Sequence, residues 1–363
     1  MSTGALFLYV CCQVGAEKAL KEELSITHPE WRFAFSRPGF LTFKWVSAHP
    51  LERISEFRLH SVFARCWGFS VGPQKSVIEA SQAIQSLAQA LGQTRLGLEV
   101  WERDLYPVGE EPKGFQTGAL AHAWQSELAN HLSGLLEQNE RTSDWIADFS
   151  GVAAENSEFW VGYHFRTSRS RAQGPGGSIS VVMPEDSPSR AFIKLEQAIA
   201  WSGLQLAPQQ CALEVGSAPG GASYALLLRG LEVMGLDPGS MDPMLQERFG
   251  KNFHHLQKTV SELQSRDLER PVEWLILDIN AKPKVTLTLI EELLARAPNR
   301  FSTLRGMILT LKINDWKLAR FIPEWLEWVA HLGKPFGLTQ IQATQLPANK
   351  QEICVVARKR LGK

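Results

Sequence analysis

The run Leu213-Glu214-Val215-Gly216-Ser217-Ala218-Pro219-Gly220-Gly221 constrains this chain more than any other stretch. An apolar segment, Leu213 to Val215, stops at Gly216. Pro219-Gly220-Gly221 then opens a segment with Tyr224, Leu226, Leu227 and Leu228 on an amphipathic pattern. A strand, a tight glycine turn and a helix follow one another, and in α/β folds such a turn meets a ligand at the carboxyl edge of the sheet. The bland alternative is a glycine turn kept only for close strand–helix packing.

The surrounding residues narrow the ligand. A dinucleotide turn needs G-x-G-x-x-G, and a P-loop needs Gly-Lys-Ser/Thr; neither spacing is present. No Lys or Arg occurs between Gly216 and Tyr224, where a pyrophosphate would need charge. Glu214 sits at the end of the first strand. Asp237 ends the second, about 20 residues beyond the first glycine, where an acid can hold ribose hydroxyls. A ribose-bearing ligand without phosphates fits best, which points to S-adenosylmethionine.

From Ser187 onward the pattern alternates strand and helix. Ser187 and Pro188 read as the N-cap and first residue of a helix ending at Gly203. Strands are expected at Ala212–Val215, Val233–Leu236, Trp274–Asp278 and Met307–Lys312, and a terminal hairpin near Gly337–Gln342 and Glu352–Ala357. Continuous apolar strands between helices imply a parallel sheet covered on both faces. Before them, residues 1–60 read as an α+β domain. Residues 61–165 read as a second α+β domain, with a helix near Glu79–Leu91 and a long one from about Ala119 to Gln138. Residues 166–187, rich in Arg, Ser, Gly and Pro, read as the connection to a domain over 188–363.

The 363 residues carry a formal net charge of zero, so any nucleic-acid surface must be a local patch. Arg166, Arg169, Arg171 and Arg190 are candidates for it, flanking the helix that begins the last domain. The five cysteines lack C-x-x-C spacing and adjoin apolar residues, so they read as reduced core thiols of a cytoplasmic protein. No histidine pattern suggests a metal, and no apolar stretch is long enough for a membrane span. A monomer is expected.

"LEVGSAPGGAS", "SPSRAFIKLEQ", "LILDINAKP", "LTLKIN" and "QEICVVA" resemble the FtsJ-type RNA ribose 2′-O-methyltransferases. "VGAEKALKEEL", "SVFARCWGFSVG" and "FWVGYHF" extend the likeness, more narrowly, to the RlmM group. These are cytidine 2′-O-methyltransferases of large-subunit ribosomal RNA with an N-terminal THUMP domain. The resemblance implies a Rossmann-like methyltransferase domain with a mostly parallel seven-stranded sheet and a terminal antiparallel strand. A ferredoxin-like domain and a THUMP-like domain that grips RNA would precede it.

It also implies a Lys-Asp-Lys-Glu tetrad, matched by Lys194, Asp278, Lys312 and Glu352. Spacing agrees: Asp278 and Lys312 end parallel strands, and Glu352 begins a strand that, if antiparallel, starts at the same edge. By resemblance Lys312 takes the proton of the target hydroxyl. An ordinary lysine is charged at neutral pH, so Lys194, the sulfonium and burial are expected to lower its pKa. Gly216, Ser217, Pro219, Gly220, Gly221, Asp237 and Asp278 are the expected cofactor residues. The family's Asp near the adenine amino group is replaced by Thr259-Val260. The substrate would be ribosomal RNA before subunit assembly. The alternatives are a non-catalytic RNA-binding or assembly factor that keeps the fold, and a methyltransferase acting on another RNA.

Overall fold

The computed structural model describes residues 5–49, 51, 53–113, 118, 120–137, 143–152, 158–167 and 173–360. It divides into two compact units, Met1–Ile179 and Ser180–Lys363. The division falls inside the Arg/Ser/Gly/Pro-rich connection.

In the first unit β1 (Phe7–Cys11) lies between β3 (Phe40–Trp45) and β4 (Cys66–Gln74), antiparallel to both. With β2 (Trp31–Arg37), β5 (Gly97–Glu102), β6 (Trp145–Gly151) and β7 (Phe159–Phe165), they form one sheet in the order β2-β3-β1-β4-β7-β6-β5. The expected border at residue 60 lies between β3 and β4, yet β1 joins the two segments into that single sheet. Helix α1 (Glu17–Thr27) buries Ala19, Leu20 and Leu24. Helix α2 (Val77–Ala90) begins where Ser76 accepts a hydrogen bond from the Glu79 amide. It packs with α3 (Ala121–Leu132) over Phe149 and Val161.

Helix α3 is shorter than its periodicity suggested. It ends at Leu132, and the chain turns so that the Leu135 carbonyl can accept from the Leu96 amide at 2.9 Å. Pairing with a neighbouring strand edge outweighs continued local helix there. Ala119 and Gln138, the expected ends, lie outside the described residues.

The second unit holds a sheet in the order β10-β9-β8-β11-β12-β14-β13. Strands β8 (Cys211–Val215), β9 (Glu232–Leu236), β10 (Phe253–Leu256), β11 (Trp274–Leu277) and β12 (Gly306–Lys312) are parallel. The hairpin β13 (Leu338–Thr344) and β14 (Glu352–Lys359) closes the sheet, with β14 antiparallel to both β12 and β13. Every residue of β8 and β11 is buried, as expected of strands covered on both faces.

Helices α4 (Ala191–Ser202), α5 (Gly221–Leu228), α6 (Pro243–Phe249), α7 (Pro283–Arg296) and α8 (Ile322–Gly333) alternate with the strands. Helix α4 starts three residues later than the Ser187-Pro188 signal implies. Ser187 bonds instead to the Ser189 carbonyl, and Ser189 Oγ accepts from the Ala191 amide. At the other end the chain leaves α4 through Gly203 at φ 66°.

Candidate active site

The glycine turn joins β8 to α5 at the carboxyl edge of the second sheet. Gly216 has φ 81°, and a Cβ there would lie 2.5 Å from the carbonyl oxygen of Asp278. Only glycine permits both the left-handed backbone and this approach to the next strand. Gly220 has φ 117° and caps α5, while the Ala218–Pro219 bond is cis. The Asp237 carboxylate steadies the turn, accepting from the amides of Ala218 (3.2 Å) and Gly239 (2.7 Å).

Beside the turn lies a cavity of about 210 Å³, walled by Val215, Leu236, Ile279 and Leu289, with Gly216 and Asp237 at its edge. Ser217, Pro219, Gly220 and Gly221 build the turn and do not line this cavity. A mainly apolar lining with a few polar groups, Asp237 among them, is the composition of a small-molecule site. Thr259 and Val260 line it where the family's Asp is expected. The Thr259 amide and hydroxyl both donate to Glu262, at 2.8 and 2.7 Å, so that hydroxyl is committed to its own turn. Lys258, absent from the reading of the glycine loop, also lines the cavity, but its ammonium is paired with Asp267 at 2.8 Å.

The four residues expected to act together do meet. Lys194 comes from α4, Asp278 from the residue after β11, Lys312 from the end of β12 and Glu352 from the start of β14. They close a ring of alternating charge. Lys194 Nζ lies 3.2 Å from Asp278 Oδ2 and 2.5 Å from Glu352 Oε1. Lys312 Nζ lies 2.7 Å from Asp278 Oδ1 and 2.6 Å from Glu352 Oε2. Each lysine thus touches both carboxylates through different oxygens. All four are mostly shielded, from 22% side-chain exposure at Lys194 to 6% at Glu352, so their attractions are weakly screened.

This neighbourhood moves Lys312 opposite to the sequence expectation. Burial alone would lower its pKa, but Asp278 and Glu352 outweigh it and hold the ammonium above its ordinary value. Glu352 behaves in complement. Burial would raise its pKa, yet Lys194 and Lys312 pull it below the usual carboxylate range. Both carboxylates lie within 2.7 Å of Lys312, and their attraction outweighs the effect expected of the second lysine.

Glu214 is buried beneath the turn and bonds to the Ser223 hydroxyl. Burial raises its pKa to about 8, so this acid is mostly protonated at neutral pH. Burial pushes the Cys211 and Cys354 thiols up to about 11 and about 12, which removes them as nucleophiles at neutral pH.

The arginine candidates are divided. Arg190 is exposed at the N-terminus of α4. Arg166 is occupied in the first unit, donating to the Ser143 carbonyl at 3.2 Å and lying 3.7 Å from Glu99. Arg169 and Arg171 lie outside the described residues. Asn349, not among the residues expected from the sequence, donates its side-chain amide to Glu352 Oε1 at 3.2 Å. A lone Asn in a polar loop carries no motif that would have marked it.

A mostly parallel sheet in this strand order, with a glycine turn after β8 and a cavity at its carboxyl edge, has the Rossmann-like methyltransferase fold. Residues 188–312 match the family model described as FtsJ-like methyltransferase, in agreement with the resemblance carried by the motifs.

Among curated proteins, the chain is 34% identical over 148 residues to the Ribosomal RNA large subunit methyltransferase M of Teredinibacter turnerae, covering 39% of each chain. It is 30% identical over 209 residues to the protein of the same name from Yersinia enterocolitica, covering 55% of this chain and 53% of that one. The matches thus span about half or less of those relatives' length. Among solved structures, TrmN from Thermus thermophilus aligns over 98% of this chain and 100% of its own, at 13% identity and a TM-score of 0.33. That likeness is too distant to carry an argument. Among the described residues, no helix is long and apolar enough to cross a membrane.

Proposed function

We propose that the chain is an S-adenosylmethionine-dependent RNA ribose 2′-O-methyltransferase acting on a cytidine of large-subunit ribosomal RNA before subunit assembly. The single observation that carries this reading is the closed Lys194–Asp278–Lys312–Glu352 ring at the sheet edge that also holds the glycine-turn cavity. The matched family and the relatives' names support it and suggest the substrate.

The cavity's apolar walls suit an adenosine, with Asp237 at the rim for ribose hydroxyls and the Gly216–Gly221 turn beside the methionine portion. S-adenosylmethionine supplies an electrophilic methyl group on a sulfonium. A ribose hydroxyl attacks that carbon only as its proton leaves, so a base must stand within hydrogen-bond reach. Lys312 is the assigned base.

In the ring Lys312 is an ammonium. Bringing an ordinary lysine to its neutral form at pH 7 costs about 4–5 kcal/mol, and the two carboxylates add to this. The positive sulfonium and the exclusion of water by bound RNA act in the opposite direction. Lys194 contacts both Asp278 and Glu352, so the carboxylates keep a second partner while Lys312 changes state. The exposed Arg190 would contact phosphates, and residues 61–165, read as THUMP-like, would grip the structured RNA.

The test incubates the chain with methyl-labelled S-adenosylmethionine and unmodified ribosomal RNA, then maps 2′-O-methyl positions. Label on a large-subunit cytidine is the expected result. Label only on another RNA would reassign the substrate. No transfer to any RNA, with RNA binding retained, would favour the non-catalytic assembly factor.

A further inference from the structure

Glu352 can serve two lysines at once only if its carboxylate is kept from rotating. Its Oε2 is fixed by Lys312, the residue directly across the β12–β14 pair. Its Oε1 receives Lys194 and also the Asn349 side-chain amide. Asn349 is 1% exposed and lines a cavity of about 20 Å³ behind the ring, together with Lys194, Asp278 and Thr310.

The loop from β13 to β14 holds Asn349 in place. Asn349 Oδ1 accepts from the Leu346 amide at 2.8 Å, and the Asn349 amide donates to the Leu346 carbonyl at 2.9 Å. The next residue back, Ala348, donates its amide to Gln197 Oε1 at 2.8 Å. Gln197 stands on α4 one turn after Lys194, so the helix carrying one lysine also clamps the loop that orients its carboxylate partner.

We propose that Asn349 is a positioning residue that fixes the Glu352 carboxylate, so that Oε1 serves Lys194 and Oε2 serves Lys312. The consequence for the reaction rests on the methyltransferase reading; the consequence for Lys312 itself does not. Without the Asn349 amide, Glu352 loses a donor that favours its charged form and is freer to turn from Lys312. The charged groups facing the pair are Lys194, Asp278, Lys312 and Glu352, with the buried Glu214 and Cys354 as neighbours that interact with Asp278.

The experiment compares Asn349→Leu, which replaces the amide by methyl groups on the same branched skeleton, with Asn349→Asp, which adds a carboxylate. Lysines carrying ¹³C at Cε are followed by NMR in the full chain through alkaline pH, and Lys312→Arg assigns the Lys312 signal. The Lys312 midpoint should fall by about one unit in Asn349→Leu and rise by about as much in Asn349→Asp. Thermal unfolding and cofactor affinity are measured on the same samples, because a merely structural loop residue would lower stability in both without moving Lys312 in opposite directions.

In the methyl-transfer assay, both variants should lose roughly tenfold or more in kcat with little change in cofactor Kd. Unmoved or equally moved Lys312 midpoints in the two folded variants overturn the proposal. Opposite midpoint shifts in a chain that transfers no methyl group would uphold Asn349 as the positioning residue and sink the methyltransferase reading alone.

Discussion

Lys312 and Glu352 are direct partners across the antiparallel pair β12–β14, and their side chains meet at 2.6 Å, Nζ to Oε2. One is the last residue of its strand and the other the first of its own, so the strand reversal brings the proposed base and one of its counter-charges to the same sheet edge.

Replacing Lys312 by Ala removes the proposed proton acceptor and leaves intact the cavity at the glycine turn, which it does not line. Methyl transfer should fall by at least about a thousandfold, while cofactor affinity measured by calorimetry stays within about twofold. Retained turnover would reject Lys312 as the base.

The ring ties stability to pH at both ends. Lys312 has a folded pKa above its ordinary value, so its contribution is complete below that value and is lost as pH rises through the folded pKa. Glu352 has a folded pKa below the ordinary carboxylate range, so its contribution is present above that range and is lost as pH falls through the folded pKa. Thermal unfolding of Glu352→Gln should show the variant less stable than the parent near neutral pH by about 3 kcal/mol, because two lysines then share one carboxylate. The deficit should shrink in strong acid, where Glu352 is protonated in both states of the parent. A deficit independent of pH would contradict the ring's electrostatics.

Glu214 has the opposite sign. Burial raises its folded pKa to about 8, so the unfolded chain releases this proton first and the parent loses stability as pH rises from the ordinary carboxylate value toward 8. Glu214→Gln, which can still accept the Ser223 hydroxyl, should flatten that part of the stability profile. Parallel profiles for the two proteins would show that Glu214 is ionised in the fold.

Gly216→Ala meets two penalties together, the left-handed φ of 81° and the Asp278 carbonyl at 2.5 Å from the new Cβ. Relieving the clash pushes β8 from β11 at the cavity mouth. We expect a loss of about 1–3 kcal/mol in stability and a weaker cofactor Kd, read by chemical denaturation and calorimetry.

Much of the second unit was legible along the chain. Apolar runs marked four of its five parallel strands and the terminal hairpin, because a strand buried on both faces must be apolar throughout. The first unit was less legible. Nothing local shows that β1 bridges residues 1–60 and 61–165 into one sheet, since strand order depends on pairings between distant segments.

Residue type and period marked most strands of the second unit and the glycine turn after β8, and the motif resemblance marked the two lysines and two acids as candidates for the reaction. Only the folded chain decided how those four interleave, how the carboxylates raise Lys312 instead of Lys194 lowering it, and that Asn349 completes the set. The physical reason is range. Strand and turn preferences act over a few neighbouring residues, whereas Coulomb and hydrogen-bond energies depend on ångström separations between residues as far apart as Lys194 and Glu352.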